Sequence, residues 1–586
     1  MTALPTILPT DTAGTPCRPA RAAPRWIWPA APDAASVTAL AAELRLPEPM
    51  CRLLVQRGHA GVEPAKRYLR PKLDQLHDPT GMAGLDRAVA RLVRAIRDGE
   101  TILVHGDYDV DGICSTTLLL RALRGFGGRA VPFIPRRLHD GYDLTGAGVA
   151  AAVAAGASVL VTCDCGTNAV APVAEARAAG IDVIISDHHL PSGPLPECVA
   201  VLNPRRDGCA YPDKDLAAVG VAFKLALALA RALGASDGPV YRMLDLVALA
   251  TIADIAPLRG ENRVLARFGL KVMAETTNVG LRALLRSSGM EGKPVTAGRV
   301  GFVLAPRLNA AGRLGHALRG VDLLMAESEH EANAIARELE ELNRERQQVD
   351  RETLARVRQQ LDQVDLDSTY GLVLSERGWH PGVIGIVASK VVEEIGRPTV
   401  LVAVNDGEGK GSGRSISAFD LHAGLGACAD LLIRYGGHRA AAGITIAESR
   451  LPEFTERFNQ IAAERLTLDD LVPEIRVDLE MPLSAATLDF EALLRHFEPF
   501  GAGNATPVIV TRAVRLGGSP RVVGGGHLRL RLRDEAGVEL EAIGWGMGAR
   551  AASLDTAAPL DVAYRLERDD WKGEARVQAK LADIRQ

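Results

Sequence analysis

Apolar residues recur along this chain with more than one period. Between 36 and 98 they fall mostly at three- and four-residue steps, at Leu44, Leu46, Leu53, Leu54 and Val55 and then at Leu85, Val89, Leu92, Val93 and Ile96. That spacing predicts helices. From 101 the period changes. Short apolar runs at 101–104, 130–134, 158–162 and 181–185 predict strands, and 115–123, 148–155 and 170–179 predict helices between them. Strands apolar on both faces, alternating with helices, predict a parallel sheet covered on both sides.

Segments 216–233 and 240–255 read as mostly buried helices. A highly charged stretch at 328–361 carries only a sparse stripe of Ile335, Leu339, Leu342, Val349, Val357 and Leu361. At 1.5 Å per residue it would span roughly 50 Å, and it reads as a solvated helix bridging two lobes. A second α/β unit opens at 370–374, has a strand at 398–404 and runs to about 446. Beyond about 475, short strands at 508–514, 527–533, 538–543, 560–566 and 575–581 lie between glycine turns and predict a small barrel. In His527-Leu-Arg-Leu-Arg-Leu-Arg533 the leucines face one side and Arg529, Arg531 and Arg533 the other.

Length and composition narrow the class. The 586 residues allow roughly three to five domains. A net charge of −4 gives no global cationic signal, so a nucleic-acid partner must be held by local basic surfaces. Eight cysteines form no CxxC pair. That argues against a zinc ribbon or thioredoxin-like motif and suits reduced thiols in the cytoplasm. The first thirty or so residues are rich in Pro, Ala and Arg, lack a signal-peptide core and read as a disordered tail. No window approaches the ~18 apolar residues of a membrane helix.

Nine residues able to bind hard metal ions stand in four clusters: His105, Asp107, Asp109 and Asp111; Asp164; Asp187, His188 and His189; and Asp254. Each cluster follows an apolar run, so each falls where a strand or helix ends. In parallel sheets ligands bind beyond those strand ends. Carboxylates gathered from separate positions repel one another unless positive charge lies between them. The first cluster also resembles half of an EF-hand loop, but the twelfth position is Leu118 and a strand precedes it, which excludes that reading. Oxygen-dominated ligands with some imidazole favour Mn2+ or Mg2+ over zinc. A pair of such ions suits phosphoester or phosphoanhydride hydrolysis. Gly409-Lys-Gly-Ser-Gly-Arg414-Ser415 reads as a loop able to form an anion nest with a guanidinium clamp. Arg307, Asn309 and Arg313 form a polar cluster between the lobes, and His438 lies on a glycine-rich turn. Arginines on a barrel strand are what a single-strand backbone groove needs.

HGDYDVDGICST, CDCGT, SDHHLP and ATIADIAPL resemble, in order, the four phosphoesterase motifs of the DHH superfamily. RLNAAGRLGHA, GWHPGVIGIVASK, GSGRSI, GGHRAAAG, FGAGNATP and the closing ADIR resemble the remaining motifs of its RecJ family of single-strand-specific exonucleases. The resemblance covers about 53–585. It implies an α/β, two-lobed fold: a DHH catalytic domain at 99–260, an inter-lobe segment with the long helix at 261–365, a DHH-associated domain at 366–465 and an OB-type barrel at 466–586. A disordered tail at 1–35 and a helical segment at 36–98 would precede these.

The resemblance also implies 5′→3′ degradation of single-stranded DNA to 5′-mononucleotides with two Mn2+ or Mg2+ ions, in recombination and repair. Asp109, Asp111, Asp164, His188 and Asp254 then look like metal ligands, with His105, Asp107 and His189 as ligands or orienting groups. Ser412, Gly413 and Arg414, with Arg313 and Arg136, look like the 5′-phosphate clamp, and Asn309, Arg529 and Arg531 like further DNA contacts. His380 and His438 are placed close to the scissile phosphate. Contacts with single-strand-binding protein and a RecQ-type helicase are expectations of the same resemblance.

Overall fold

The structure is a computed structural model that describes residues 23–137, 139–570 and 573–586. The catalytic lobe is built on a five-stranded sheet in the order Arg129–Phe133, Thr101–Gly106, Ala157–Cys163, Asp182–Ser186, Ala200–Leu202, with every neighbouring pair parallel. Its strands bury side chains on both faces, as their apolar runs require. Leu103, Leu160, Val183 and Ile185 pack on Val149, Ala152, Val173 and Ala176. Ile102, Val104, Val159, Val161 and Ile184 pack against the helices Val110–Gly125, Ala218–Ala232 and Leu244–Ala253. Chain order reverses between the adjacent strands Thr101–Gly106 and Ala157–Cys163, and a crevice opens at such a switch point.

Three helices depart from the sequence reading. Val110–Gly125 starts five residues earlier than expected because the Asp109 side chain accepts from the amides of Asp111 and Gly112 and caps it. The stretch 240–255 divides into Gly238–Tyr241 and Leu244–Ala253. The long helix is Glu329–Leu361, 33 residues. It is more than a solvated connector, since Ile335, Leu339, Val357 and Leu361 are buried against both lobes.

The second lobe has a five-stranded mixed sheet in the order Arg434–Gly437, Ala441–Ala447, Glu408–Arg414, Thr399–Asn405, Leu372–Arg377. Helix Ile384–Ile395 covers one face and Leu451–Arg465 the other. The expected glycine-rich anion loop at 409–415 is therefore a strand, paired on both edges. Its glycines do not make it a loop, because they answer a packing demand. A Cβ on Gly411 would lie 2.5 Å from Ile444 and 3.2 Å from Val402, so only glycine lets these layers meet.

The third sheet closes on itself. Ile509–Leu516 pairs with Leu560–Asp569 and also with His527–Arg533, and Arg576–Arg585 and Glu539–Gly544 complete a five-stranded ring. This is the small barrel the alternation predicted. The N-terminal expectations need correcting here. Residues 1–22 of the expected tail lie outside the described residues, but Arg25–Ile27 is a strand parallel to Glu474–Arg476. Its Trp26 is buried, with Nε1 donating to Asp583 at 2.8 Å. The segment 36–98 is not one unit either. Helices Ala34–Leu44, Glu48–Gln56 and Val62–Leu69 share a core with the barrel, while Leu85–Asp98 packs on the catalytic lobe. Local periodicity shows that these helices have apolar faces but not which distant surface each face meets.

Candidate metal and phosphate site

Four elements deliver acidic groups to the carboxyl edge of the catalytic sheet. Asp107 follows strand Thr101–Gly106, Asp164 follows Ala157–Cys163, Asp187 to His189 follow Asp182–Ser186, and Asp254 is the C-cap of Leu244–Ala253. The turn carrying Asp107 is compressed against the next helix, so a Cβ on Gly112 would sit 2.3 Å from the Asp107 carbonyl oxygen. Asp111 is held by another helix end: its carboxylate accepts from the amides of Ala218 and Val219, both at 2.8 Å, at the start of Ala218–Ala232. That placement suits a carboxylate at the positive end of the helix dipole. Asp164 sits in the left-handed region, φ 65°, which Asp tolerates better than most residues.

Ligand-type atoms fall into three overlapping groups, each within 4.8 Å: Asp107, Asp109 and Asp164; Asp164, His188 and His189; and Asp111, His188 and Asp254. Asp164 and His188 are shared, so the groups form one cluster, and His188 Nε2 lies 3.1 Å from Asp164 Oδ1. Burial, followed by the charges of neighbouring aspartates, pushes the carboxyls of Asp107, Asp164 and Asp254 well above the usual range and that of Asp111 to about 7. Asp107 Oδ1 is buried without a hydrogen-bond partner, and Asp164 Oδ1 is buried with His188 Nε2 as its neighbour. Clustered, desolvated carboxylates with an unpartnered oxygen fit divalent cations, which would supply the missing positive charge.

The histidines differ among themselves. Burial and the charge of His189 drive His188 down to about 3, leaving a neutral imidazole suited to ligation. His189 Nδ1 lies 2.7 Å from Asp187 Oδ1, and its Nε2 lies 2.9 Å from the Tyr142 hydroxyl. Burial opposes its charge, but Asp187 prevails and raises it to about 9. Burial likewise works against the Asp187 charge, yet His189 holds that carboxyl below its ordinary value. His105, expected among the ligands, is turned to the other face of the sheet. Its Nδ1 lies 3.5 Å from Cys165 Sγ, its ring packs on Phe133, and a Cβ on Gly148 would be 2.6 Å from its Nε2. It belongs to none of the three groups.

Across the crevice, Ser412 and Arg414 extend from the glycine strand toward helix Ile384–Ile395. There Gly385 makes room for them, since a Cβ would lie 2.8 Å from Ser412 Oγ and 3.1 Å from an Arg414 nitrogen. Gly413 faces the opposite way, onto Leu421 and Val400, and offers only its carbonyl, which accepts from Arg414 at 2.8 Å. Arg313 donates to the Gly382 carbonyl at 2.9 Å, and burial with the charges of Arg137, Arg346 and Arg414 lowers it to about 10. Asn309 accepts from the Val110 amide at 3.2 Å, supporting the first turn of the helix that carries Asp111. His380 accepts from the Gly382 amide at 3.0 Å beside Arg313. His438 is exposed on its hairpin turn, where the charge of His189 reaches it.

Three arginines expected to contact DNA each meet a carboxylate. Arg136 is exposed and pairs with Asp140 at 3.3 Å. Arg137, missed in the sequence, stacks 4.7 Å over the Tyr108 ring and acts on Asp107, Arg313 and Arg414. Consecutive arginines in a turn give no periodicity by which to choose between them. Arg529 and Arg531 alternate outward as read, but Arg529 Nε lies 3.1 Å from Glu541, and Arg531 3.6 Å from Glu541 and 3.7 Å from Glu539. That face is half neutralised rather than an open cationic groove. Tyr142, which meets His189, was not among the expected site residues and lies on a loop with no local signal.

Three family models match the chain: the DHH family N-terminal domain over 101–251, the DHHA1 domain over 368–464 and the RecJ OB domain over 477–583. The chain is 36% identical to the single-stranded-DNA-specific exonuclease RecJ of Bacillus subtilis, covering 94% of this chain and 70% of that protein. It is also 36% identical to the Dickeya dadantii protein of the same name, covering 92% and 96%. The crystal structure of Thermus thermophilus RecJ in complex with Mn2+ superposes with a TM-score of 0.82 at 33% identity, covering 96% of this chain and 79% of that one. A crystal structure of exonuclease RecJ bound to manganese covers 68% of this chain and 100% of its own, at 38% identity and a TM-score of 0.59. The chain belongs to the RecJ family.

Proposed function

We propose that this protein is a single-stranded-DNA-specific exonuclease that removes 5′-mononucleotides from the 5′ end, using divalent cations, Mn2+ or Mg2+, and acting in recombination and repair. The carrying observation is a charge mismatch across one crevice. On one side stand Asp107, Asp109, Asp111, Asp164, His188 and Asp254, which would hold the cations. On the other stand Arg137, Arg313 and Arg414, none of which forms an ion pair among the described residues, although the charge of Arg137 acts on both of the others. An anion is what three such guanidiniums lack. A terminal phosphate seated there, with Ser412 as a further donor, would orient the adjoining phosphodiester toward the carboxylate cluster.

Bound cations supply charge neutralisation at the phosphodiester and a water acidic enough to attack it near neutral pH. The protein's part is placement. Asp187 holds His189 by Nδ1, so the protonated ring presents its other N–H toward Tyr142 and the crevice, where a phosphate oxygen could accept it. His188 stays neutral. The two lobes, fixed by the long helix, set the distance between the anchored end and the cleaved bond.

Single strands alone fit this reading, because the terminal nucleotide must reach between the lobes. Recruitment by single-strand-binding protein and a RecQ-type helicase is a finer part of the proposal, tested by pull-down with each purified partner. We also place the enzyme in the cytoplasm; among the described residues no helix is long and apolar enough to cross a membrane.

The decisive experiment follows a single strand labelled at one end with Mn2+, Mg2+ or chelator. Loss of the 5′ label as mononucleotide, only with metal and far faster than from a blunt duplex, is expected. Release from the 3′ end first would overturn the polarity.

A further inference from the structure

The FGAGNATP segment, 500–507, matched a family motif, but the catalytic reading leaves it without a task. In the structure it is not on the open face of the barrel. It forms a tight turn closed by reciprocal backbone hydrogen bonds between Gly501 and Asn504, at 3.0 and 3.1 Å, and it docks against the catalytic lobe just past Asp254. The Leu258 amide donates to the Ala502 carbonyl at 2.8 Å, and Arg259 Nε to the Gly503 carbonyl at 2.9 Å. A Cβ on Gly501 would lie 2.8 Å from Leu258, so glycine is what permits this approach.

Two further arginines on the same helix, Gly260–Ala274, extend the junction. Arg263 is buried and donates to three carbonyls: Phe497 at 2.6 Å, His496 at 3.0 Å and Tyr68 at 3.2 Å. Its guanidinium also lies 4.1 Å over the Tyr68 ring. Arg267 donates to the Glu498 carbonyl at 2.7 Å. Asn504 closes the far side. Its amide donates to the carbonyls of Phe497 and Pro499, both at 2.8 Å, and its oxygen accepts from the Tyr68 hydroxyl at 2.7 Å and from Arg57. Three separate pieces of chain, the N-terminal helices, the catalytic lobe and the stem of the barrel, thus meet at Arg263 and Asn504.

These bonds are charge-assisted or fully buried, and every acceptor around Arg263 is a backbone carbonyl. Such a contact fixes orientation as well as proximity, because a planar fork cannot serve three carbonyls in more than one pose. We propose that Arg263 and Asn504 are positioning residues that hold the barrel at one fixed orientation to the crevice. A strand bound on the barrel would then enter the catalytic lobe in constant register. The inference rests on the single-strand exonuclease reading above. It assigns the junction no part in chemistry, so its signature is dependence on substrate length.

The test uses the full chain, with Arg263→Ala and the milder surface double variant Arg259→Ala/Arg267→Ala, in steady-state hydrolysis of a 5′-phosphorylated trinucleotide and of a 40-nucleotide strand. The trinucleotide offers the barrel far less backbone to bind than the 40-nucleotide strand does. Expected is an about tenfold rise in KM for the long strand, with kcat and all trinucleotide constants within twofold of wild type. Small-angle scattering should show a larger radius of gyration. Equal loss on both substrates would mean that the junction merely supports the catalytic lobe, and no change on either would mean that it does not position the barrel; both overturn the proposal. Should wild type hydrolyse neither substrate, the exonuclease reading itself fails, and the positioning role falls with it. A wild type active on both, with no length effect in the variants, overturns only the positioning role.

Discussion

His189 Nδ1 and Asp187 Oδ1 are 2.7 Å apart, and the pair splits its two pKa values in opposite directions, His189 up to about 9 and Asp187 below its ordinary value. A histidine raised in the folded state contributes stability that is whole below its unfolded value of 6.5 and lost as pH rises through about 9. A lowered aspartate contributes stability present above 3.8 and lost as pH falls below it. In chelator, Asp187→Asn should therefore melt below wild type between about pH 5 and 8. The gap should narrow above pH 9. Differential scanning fluorimetry across that range checks this; a gap independent of pH would reject the pairing.

Asp164 presents the opposite sign. Burial and neighbouring aspartates raise its carboxyl, so without metal its ionised form destabilises the fold at neutral pH. Asn tolerates the same left-handed backbone. Asp164→Asn should melt above wild type in chelator, yet gain less than wild type when Mn2+ is added. Equal Mn2+ shifts in both proteins would remove Asp164 from the ligand set.

Asp109→Ala should abolish nuclease activity while leaving single-strand binding largely intact, measured by fluorescence anisotropy beside the cleavage assay. Retained cleavage, with contaminating nuclease excluded, would sink the two-metal assignment.

The phosphate clamp separates neighbouring arginines. Loss of a charged hydrogen bond costs about 1.5–3 kcal/mol, so Arg137→Ala and Arg414→Ala should each reduce the preference for a 5′-phosphate over a 5′-hydroxyl about tenfold or more. Arg136→Ala, whose side chain pairs with Asp140, should not. Competition between the two substrate ends is the measurement, and an unchanged preference in both clamp variants would place the anion site elsewhere.

On the barrel, Glu541 lies within 3.6 Å of both Arg529 and Arg531. Glu541→Gln should free Arg529, leave Arg531 with Glu539 alone, and tighten single-strand binding about two- to threefold, with a salt dependence steeper by up to one phosphate contact. Weaker or unchanged binding would mean that DNA does not run over this face.

The catalytic sheet was legible because each strand is a local apolar run, and the acidic clusters were legible because they follow those runs. The glycine strand at 408–414 was not. Glycine has poor strand propensity, and what makes this segment a strand is Val402 and Ile444 pressing on it from other parts of the chain. His105 shows the complementary case. It stands in the acidic motif, but strand alternation aims it at Gly148 and Phe133 instead. Arg137 could not be chosen over Arg136 because loop direction is set by tertiary packing. The strand Arg25–Ile27 is three residues long, and Arg25 meets Glu474 across 449 positions, far beyond any window that reads periodicity.

That last arrangement bears on how the protein is made. Helices 34–69 are synthesised early, yet the surface they cover, including the Asn504 that Tyr68 binds, lies 436 residues downstream of Tyr68. At translation rates of about 5–20 residues per second, their apolar faces wait roughly 20–90 s for a partner. The nascent chain thus carries an unsatisfied hydrophobic segment through nearly its entire synthesis, and its closure is among the last events of folding. Holdase chaperones should find this segment on stalled ribosomes, and an amino-terminal fusion that hinders docking should harm the barrel, whose core these helices share, more than the catalytic lobe, which they meet at Arg263.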